Sequence, residues 1–457
     1  MGGLVNRSLV AVGILAVLAV GAAQAQWVDT TLGVGTHPCA LLYDSVNSKV
    51  YCANYTGSTV TVIDGASNQV ITSVLTASGP CALCCNPHDN KVYCADRIGG
   101  NVTVINGASN QVDTNVEVGV APTALCYNSK DNKVYSADHQ SNTVTVIDGA
   151  SNQVDTTVGT GTGPWALCYN PQDDKVYCAN VDVDTVTVIN GASNRVDATV
   201  AVQLHPWALC YNPLGDKVYS ANLSGYNVTV IDGATNQVDT TTGAGTEPIA
   251  LCYNRLDNRV YCADDGSDSV SVIDGASNQL IAVLPAGAYT WALCHNPVYD
   301  KVYCADSGNS RVTVIGGASD SVIETLAVGT GPCALTCNPV QNCVYVANCG
   351  SNSVSIIRDS TLGVAEFTKL PQLHTVTVQP TIARLGAPVK FSGLPTGSDI
   401  EVHSLDGRLV SRTSAVRQST WTWDLRNRSG SLVPAGTYFA VIRSKGKSTS
   451  LKLCLVR

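Results

Sequence analysis

The sequence is poor in the residues that build helical proteins. It has one Met and three Phe in 457 residues, and 14% of its residues are charged. A helical protein would normally contain more Leu, Glu, Lys and Met. The apolar residues here are mostly Val, Ile, Tyr, Ala and Cys, mixed with Thr, Asn, Ser and 40 Gly. This composition is typical of strands and turns, and it predicts an all-β fold.

Positive charge is scarce in the main body of the chain. Residues 1–368 contain 14 Lys or Arg against 31 Asp or Glu, whereas residues 369–457 contain 13 against 4. An acidic main body argues against nucleic acid as a partner, because phosphate binding needs clustered cations. The reversal of charge near residue 369 predicts a domain boundary.

The first residues have the pattern of an export signal. An apolar run from Leu9 to Ala23 follows the basic Arg7, and Ala23 and Ala25 supply the small residues of a cleavage site. The run is short for a membrane span. We therefore predict a signal peptide at residues 1–25 and no transmembrane span after its cleavage. The expected location is secreted or the outer cell surface, with the periplasm as the alternative.

A 42-residue repeat fills most of the chain. A Lys-Val-Tyr-Cys-Ala-Asn tract begins at Lys49 and returns, with some substitutions, at Lys91, Lys133, Lys175, Lys217, Arg259, Lys301 and, weakened, Cys343. A Gly-Ala-Ser-Asn turn recurs on the same period from Gly65 to Gly317. Each unit contains four short strand signals separated by turn signals. A four-stranded unit of this length is the size of a β-propeller blade.

The repeat columns predict eight blades closed into a ring. The first three strands of the unit occur eight times, starting near residues 39, 81, 123, 165, 207, 249, 291 and 333. The fourth also occurs eight times, but its first copy, at Val28, precedes the first full unit. We therefore predict that residues 28–34 complete the blade begun by residues 333–358, which hides the sheet edges. Seven blades plus a stray unit is the alternative, and residues 364–368 are a weak ninth candidate for that edge.

The repeat resembles the YVTN β-propellers of bacterial and archaeal surface and periplasmic proteins. The resemblance is carried by residues 344–348, Val-Tyr-Val-Ala-Asn, and residues 353–357, Ser-Val-Ser-Ile-Ile. The other copies have Tyr-Cys-Ala or Tyr-Ser-Ala where the family has Tyr-Val-Ala. The resemblance covers about residues 27–360 and implies the propeller fold. It hardly restricts activity, since related propellers include lactonase-like enzymes and binding proteins.

After residue 369 the period stops, and the strand signals indicate a small β-sandwich. Residues 423–430, residues 433–438 and the turn Asp406-Gly407-Arg408 resemble the Ig-like domain of flagellar hook-capping proteins and the sorting domains of type IX secretion cargo. The sorting resemblance implies passage across an outer membrane, with the type IX secretion machinery as a partner. An ordinary accessory sandwich is the alternative. The predicted division is a signal peptide at 1–25, a propeller at 26–362, a linker at 363–375 and an Ig-like or sorting domain at 376–457.

Nineteen cysteines are present, and eighteen of them lie in the repeat. Four units hold two cysteines ten residues apart, namely Cys84/Cys94, Cys168/Cys178, Cys252/Cys262 and Cys294/Cys304. They face one another if a five-residue turn joins the strands, and an oxidising compartment then permits disulfides. Ser or Val replaces Cys in other copies, which is typical of a small buried position. We favour packing thiols over disulfides, and metal clusters are less favoured than either.

The sequence shows no Ser-His-Asp arrangement, Gly-rich phosphate loop or His-x-His motif, and we expect no catalytic residues. An Asn or Asp ends the second strand of every unit, and its recurrence indicates a structural hydrogen-bonding role. Two sets of loops vary from copy to copy, those between second and third strands and those between fourth and first strands. Because strands alternate in direction, both sets lie on one face of the disc, here called the variable-loop face, where we expect binding.

The candidate binding residues lie at or beside the recurrent proline column. They are Trp165, Trp207 and Trp291 directly after it, and His37, His205 and Tyr289 directly before it. Trp at the mouth of a channel could stack a sugar or peptide group, and filling space between blades is the alternative. Asp182, Asp184, Asp264 and Asp268 are oxygen ligands suited to Ca²⁺, although their spacing matches no known calcium loop. We expect no cofactor, with Ca²⁺ as the alternative.

The sequence therefore favours an exported, non-catalytic β-propeller. We expect it to bind a protein, glycan or surface polymer at the cell surface through the variable-loop face, with the C-terminal domain serving secretion or surface attachment. The alternative is a lactonase-like hydrolase or lyase with a divalent cation in the central channel. Near-identical units leave little asymmetry from which to build one active site.

Overall fold

The computed structural model describes residues 24–361, 377–379, 382–384, 388–394, 397–404, 409–427, 430–444 and 447–456. Most of the predicted signal peptide, the weak strand candidate at 364–368 and the turn at 406–408 lie outside the described residues. The chain divides into two compact units, and one of them, Gln26–Ser360, contains the whole repeat. In the part of the chain that is described, no helix is long and apolar enough to cross a membrane.

The repeat folds into eight four-stranded antiparallel sheets, called blades 1 to 8 in the order of their inner strands. The inner strands are Pro38–Asp44, Pro80–Asn86, Pro122–Asn128, Pro164–Asn170, Pro206–Asn212, Pro248–Asn254, Thr290–Asn296 and Pro332–Asn338. The second strands are Lys49–Asn54, Lys91–Asp96, Lys133–Asp138, Lys175–Asn180, Lys217–Asn222, Arg259–Asp264, Lys301–Asp306 and Cys343–Asn348. The third strands are Thr59–Asp64, Asn101–Asn106, Thr143–Asp148, Thr185–Asn190, Asn227–Asp232, Ser269–Asp274, Arg311–Gly316 and Ser353–Thr361. The outer strands are Gln69–Leu75, Val112–Glu117, Val154–Gly159, Val196–Ala201, Val238–Gly243, Leu280–Pro285, Ser321–Ala327 and, for blade 8, Gln24–Gly33. One 3₁₀ turn, Asp265–Ser267, interrupts this pattern in blade 6.

Each blade is covered on both faces by its neighbours, and this explains the apolar second and third strands. In blade 2, Val102 and Val104 are fully buried and pack with Val134 and Ile147 of blade 3. A strand that is buried on both faces loses the alternation of apolar and polar residues. The core is therefore a series of apolar layers between blades.

The ring is closed by the first strand of the chain. Gln24–Gly33 pairs with Ser353–Thr361 and so becomes the outer strand of blade 8. The inner strands of blades 8 and 1 also pack on each other, as do those of every other neighbouring pair. The predicted closure is confirmed, although the strand begins at Gln24 rather than Val28. The alternative of seven blades plus a stray unit is wrong, because the first strand is the outer strand that completes an eighth four-stranded blade.

The recurrent tracts fasten each blade to the next. Lys91 Nζ of blade 2 donates to the carbonyl of Gly149 (2.7 Å) and to Asn152 Oδ1 (3.0 Å), both in the turn between third and outer strands of blade 3. The buried Tyr93 hydroxyl donates to the same Asn152 oxygen (2.9 Å). Asn152 has φ +59°, a left-handed conformation that Asn tolerates well. The Lys, Tyr and Gly-Ala-Ser-Asn columns thus form hydrogen bonds that join neighbouring blades on the face opposite the variable loops.

An ion pair replaces these hydrogen bonds between blade 7 and blade 8. Blade 8 has no turn between its third and outer strands, and Asp359 occupies the corresponding place. Its carboxylate accepts from Lys301 Nζ (2.5 Å), the Tyr303 hydroxyl (2.7 Å) and Gln26 Nε2 (3.2 Å). The Lys301 and Asp359 side chains are 1% and 0% exposed, so the pair is sealed from water.

The cysteine pairs predicted to face one another do not. In blade 4, Cys168 lies opposite Tyr177, and Cys178 lies opposite Leu167. The turn between the paired residues Asn170 and Lys175 has four residues, and a shift of one residue sends a side chain to the other face of the sheet. The eighteen cysteines of the propeller are free thiols, and six are fully enclosed, which agrees with the packing interpretation.

The second unit contains two sheets that share a core. One has the strands Thr377–Gln379, Val389–Ser392 and Thr420–Trp423. The other has, in spatial order, Ile382–Arg384, Lys447–Val456, Gly436–Ser444, Ser398–Ser404 and Leu409–Val416. Phe391 and Trp423 from the first sheet are buried with Ile400 and Tyr438 from the second. This arrangement confirms a small C-terminal β-sandwich.

Candidate functional site

The central channel is bounded by the inner strands. In blade 4 the middle residues of the inner strand are half-buried, whereas those of the second strand are buried. The variable loops meet the inner strands at their first residues. The column after the recurrent proline therefore lies at the rim of the channel on the variable-loop face, which we call the mouth.

The Asn and Asp side chains that end the second strands are buried and bonded within their own blades. In blade 1, Asn54 Nδ2 donates to Thr61 Oγ1 (3.0 Å). In blade 2, Asp96 takes the same place and accepts from Thr103 Oγ1 (2.6 Å). These contacts confirm the structural role predicted for this column. Burial raises the pKa of Asp96 to about 6 and that of Asp264 to about 6.

One side of the mouth carries an aromatic patch, formed by Arg97, His139, Trp165 and Trp207. The Trp165 and Trp207 rings lie 4.4 Å apart between centroids, tilted by 40°. His139 contacts Trp165 edge-on at 5.4 Å, and the guanidinium carbon of Arg97 lies 5.1 Å from the Trp165 ring centre. Four successive blades, 2 to 5, each contribute one of these side chains. The patch is half-buried, so part of each ring or guanidinium faces solvent.

The surroundings of His139 favour its neutral form, since they lower its pKa. Burial lowers its pKa most, Arg97 lowers it further, and the Asp182 carboxylate raises it. Its Nδ1 atom is buried and has no hydrogen-bond partner among the described residues. Arg97 therefore supplies the positive charge of the patch. A guanidinium held on an aromatic face keeps its N–H edge free for a carboxylate or another oxygen acceptor.

The other predicted binding residues lie on the same face but are not joined to the patch by a described contact. Trp291 is 51% exposed and Tyr289 is 61% exposed, both in blade 7. His37 contacts Tyr55 with ring centres 6.0 Å apart. His205 Nδ1 lies 2.8 Å from Ser224 Oγ. The structure thus brings Trp165 and Trp207 together and leaves the other four as separate exposed groups around the mouth.

Two of the predicted calcium ligands hold loop backbone in place. Asp184 Oδ1 accepts from the His205 N–H (2.8 Å), and Asp268 Oδ1 accepts from the Tyr289 N–H (3.2 Å). Both aspartates have φ +54° and end the loop between second and third strands. The same bond occurs in blade 8, where Asn352 accepts from the His37 N–H (2.9 Å). This is a structural role that a neutral amide fills equally well.

The four predicted ligands do not converge on a common point. Asp182 is exposed in blade 4, while Asp264 is fully enclosed in blade 6 and accepts from Ser271 Oγ (2.7 Å). Across the described ranges, no three His, Cys, Asp or Glu side chains are grouped so that they could hold a metal ion. The residues present at these positions therefore do not fit the calcium site for which they were singled out.

Arg97 and His139 are members of the patch that the sequence argument did not select. Both begin the variable loop after a second strand, in a column that reads Tyr, Arg, His, Val, Leu, Asp, Ser and Cys from blade 1 to blade 8. The wide variation of this column, which lies beside the Trp column, is the sequence signal that could have identified Arg97 and His139 as candidate binding residues. Their contact with Trp165 spans neighbouring blades and is invisible to a comparison of loops one by one.

Comparison with known proteins agrees with this architecture. Residues 120–371, which begin just before blade 3 and pass the end of blade 8, match the YNCE-like beta-propeller family. The chain belongs to the YNCE-like β-propeller family. The resemblance to YVTN propellers is thereby confirmed at the level of the propeller fold, and the type IX sorting resemblance stays a prediction.

Solved structures similar to this YNCE-like propeller bear on its fold alone. Its chain superposes on a chain of hydrazine synthase from Kuenenia stuttgartiensis with 19% identity and a TM-score of 0.53, covering 72% of this chain and 97% of that one. In all, 1374 solved chains match, so the fold is shared too widely to indicate an activity. No curated protein matches the sequence.

Proposed function

We propose that this YNCE-like propeller is an exported, non-catalytic binding protein. It captures a glycan, peptide or surface polymer at the mouth of its channel, and its C-terminal sandwich serves secretion or surface attachment. The observation that carries the proposal is the aromatic patch, in which Arg97 and the two Trp rings are held together and half-open to solvent.

The chemistry of the patch defines the class of ligand. Trp rings stack on the apolar face of a sugar ring or on a planar peptide group. The Arg97 guanidinium adds a donor pair for a carboxylate. An acidic glycan or an acidic peptide offers both groups within a few ångströms. The variable loops surround the patch, whereas the recurrent turns lie on the opposite face, so binding is separated from the contacts that hold the ring together.

The lactonase-like alternative has less support. A hydrolase of that class needs acidic or imidazole side chains that converge on a cation in the channel. Within the described part of the chain no such group of three is present. The asymmetry that the mouth does possess is aromatic and cationic, which suits recognition of a ligand.

The test is binding by the full chain to arrays of acidic and neutral glycans and peptides. Any ligand found is then titrated against the Trp165→Ala and Arg97→Ala variants. Trp165→Ala is expected to weaken binding about 10- to 100-fold, as removal of a central aromatic anchor does. Arg97→Ala should weaken acidic ligands more than neutral ones.

Leu214→Ala is the matched control, because Leu214 is 70% exposed on the opposite face. It should leave the affinity unchanged. Equal affinities for Leu214→Ala and Trp165→Ala would remove the patch from the binding site. Fractionation of the producing cells tests export in the same samples, and a protein retained in the cytoplasm would contradict that part of the proposal.

A further inference from the structure

The opposite side of the mouth carries two neighbouring cysteines, Cys333 and Cys349. Cys333 is the second residue of the inner strand Pro332–Asn338 of blade 8, and Cys349 begins the loop after the second strand Cys343–Asn348. The Cys349 N–H donates to the Gly331 carbonyl (2.9 Å), which folds the loop back toward the inner strand. Both thiols are half-buried, and they lie close enough for each to shift the pKa of the other.

The backbone leaves room for this contact. Gly331 has φ +64°, and a β-carbon at this residue would come within 3.2 Å of Cys349 Sγ. Cys333 Sγ also lies 3.1 Å from the Pro38 carbonyl and 3.5 Å from the Ala347 carbonyl, so its position between blades 8 and 1 is fixed. The Cys349 thiol therefore packs over Gly331, two residues before Cys333 in the chain.

The two thiols differ in acidity. The neighbouring Cys333 thiol is the largest cause that lowers the pKa of Cys349, and His37 lowers it further. The same interaction raises the pKa of Cys333. Cys81 occupies the same column in blade 2, and there burial raises the pKa to about 12. A half-exposed thiol with a low pKa beside a second thiol is the arrangement of a reactive pair.

Blade 8 alone combines the two cysteines. The inner-strand column also has Cys39 and Cys81, but the loop column holds Tyr55 and Arg97 in those blades. Blade 7 has Ser307 at the position of Cys349, and blade 3 has Thr123 at the position of Cys333. The repeat therefore tolerates hydroxyl side chains at both positions, and neither thiol is needed for the blade to form.

We propose that Cys333 and Cys349 form a redox-active dithiol at the mouth of the channel, which exchanges with low-molecular-weight disulfides and closes to an intramolecular disulfide. The closed form ties the variable loop of blade 8 to its inner strand. This site is independent of the aromatic patch and of whether the patch binds a ligand.

The exchange proceeds in two displacements. The Cys349 thiolate attacks one sulfur of a disulfide RSSR, which forms a mixed disulfide and releases RS⁻. Cys333 then loses its proton to solvent, attacks Cys349 Sγ and releases the second RS⁻. The two protein thiols are oxidised by two electrons, and RSSR is reduced to two molecules of RSH that take up the two protons.

The test uses the full chain, reduced and then incubated at pH 7 with oxidised glutathione. Remaining thiols are alkylated, and the unreduced protein is digested with chymotrypsin. Cleavage after Leu335 and Tyr345 separates Cys333, Cys349 and the pair Cys337 and Cys343 into different peptides. Mass spectrometry is expected to show a Cys333–Cys349 link as the first product. A Cys39–Cys349 link, a glutathione adduct that persists on Cys349 or the absence of reaction overturns the proposal.

The variants follow substitutions that the repeat already contains. Cys333→Thr keeps a donor between the same carbonyls, since Thr123 Oγ1 lies 3.3 Å from both Ala137 O and Pro164 O. It should leave glutathione on Cys349, whereas Cys349→Ser should abolish reaction with glutathione at this site. Both should melt within a few degrees of the parent. Cys81→Thr is the control and should form the link at the parent rate; loss of the link in this control would contradict a local dithiol.

Discussion

At the end of each second strand, a buried Asn or Asp faces a hydroxyl of the third strand. The Asn amide donates to this hydroxyl and the Asp carboxylate accepts from it, and only Asp can carry a charge there. Asn54 and Asp96 both meet a Thr hydroxyl, and a Cys thiol two residues earlier points at the same side-chain oxygen in each blade, at 3.6 and 3.7 Å. Burial opposes ionisation of Asp96, because the charged form loses its hydration.

Asp96→Asn is expected to stabilise the protein at neutral pH. The folded-state pKa of Asp96 is about 6 against an ordinary value of 3.8, so the folded protein holds this proton more tightly than the unfolded chain. The resulting stabilisation is complete below about pH 4 and is lost as the pH rises through about 6. At pH 7.5 the Asn variant should therefore gain about 1–3 kcal/mol in the free energy of unfolding. Urea denaturation of the parent and the variant at pH 4 and pH 7.5 measures the free energy of unfolding at each pH.

Asn54→Asp provides the reverse test in blade 1. It should lower stability at pH 7.5 and have little effect at pH 4. If Asp96→Asn shifted the urea midpoint equally at the two pH values, the loss of a buried charge would not be the cause.

At the scale of single elements, the strands follow from local pattern, whereas the pairing between them required the structure. Third strands that alternate polar and apolar residues, such as Thr-Val-Thr-Val at residues 59–62, and the recurrent turn residues identify the strands of the units. The paired cysteines face one another only if the turn leaves five residues unpaired. It leaves four, and this number sets the register of the two strands. Whether Asn170 and Lys175 pair is decided by hydrogen bonds that neither strand reveals alone.

The junction between blades 7 and 8 contains the buried Lys301–Asp359 pair. Asp359→Ala is expected to lower the free energy of unfolding by about 3–5 kcal/mol, since it leaves the Lys301 charge buried without a counter-ion. Burial already lowers the pKa of Lys301, and Asp359 is the group that opposes this shift. The urea midpoint and slope of the variant give the change.

Lys49→Met is the matched control for this prediction. Lys49 donates to the Gly107 carbonyl (2.6 Å) and to Asn110 Oδ1 (2.9 Å), which are neutral acceptors, and it is not fully buried. Lys49→Met should lower the free energy of unfolding by less than Asp359→Ala does. A larger effect for Lys49→Met would contradict the special weight given to the ion pair.

At the scale of the whole molecule, the ring depends on a strand from the other end of the repeat. Val28 packs between blades 7 and 8, and Leu32 and Val34 pack against blade 1. Without this strand the edge of Ser353–Thr361 would present unpaired N–H and C=O groups, which template association with another chain.

A chain that starts at Gly35 should therefore self-associate and melt at a lower temperature than one that starts at Gln24. Light scattering during size-exclusion chromatography and thermal denaturation compare the two proteins. A synthetic peptide of residues 24–34 should restore the monomer by pairing with the open edge. A truncated chain that stays monomeric with an unchanged melting temperature would show that the ring closes without the strand.

The sequence by itself determined the number of blades, the strand that closes the ring and the face that varies. These properties repeat with a 42-residue period, and a blade is stabilised by contacts whose positions recur with the same period. The tertiary structure decided which side chains meet at the mouth. Arg97 reaches Trp165 from two blades away, and Cys333 meets Cys349 across a folded-back loop. Such contacts depend on loop paths and side-chain reach between blades, and a repeat period holds no information about either.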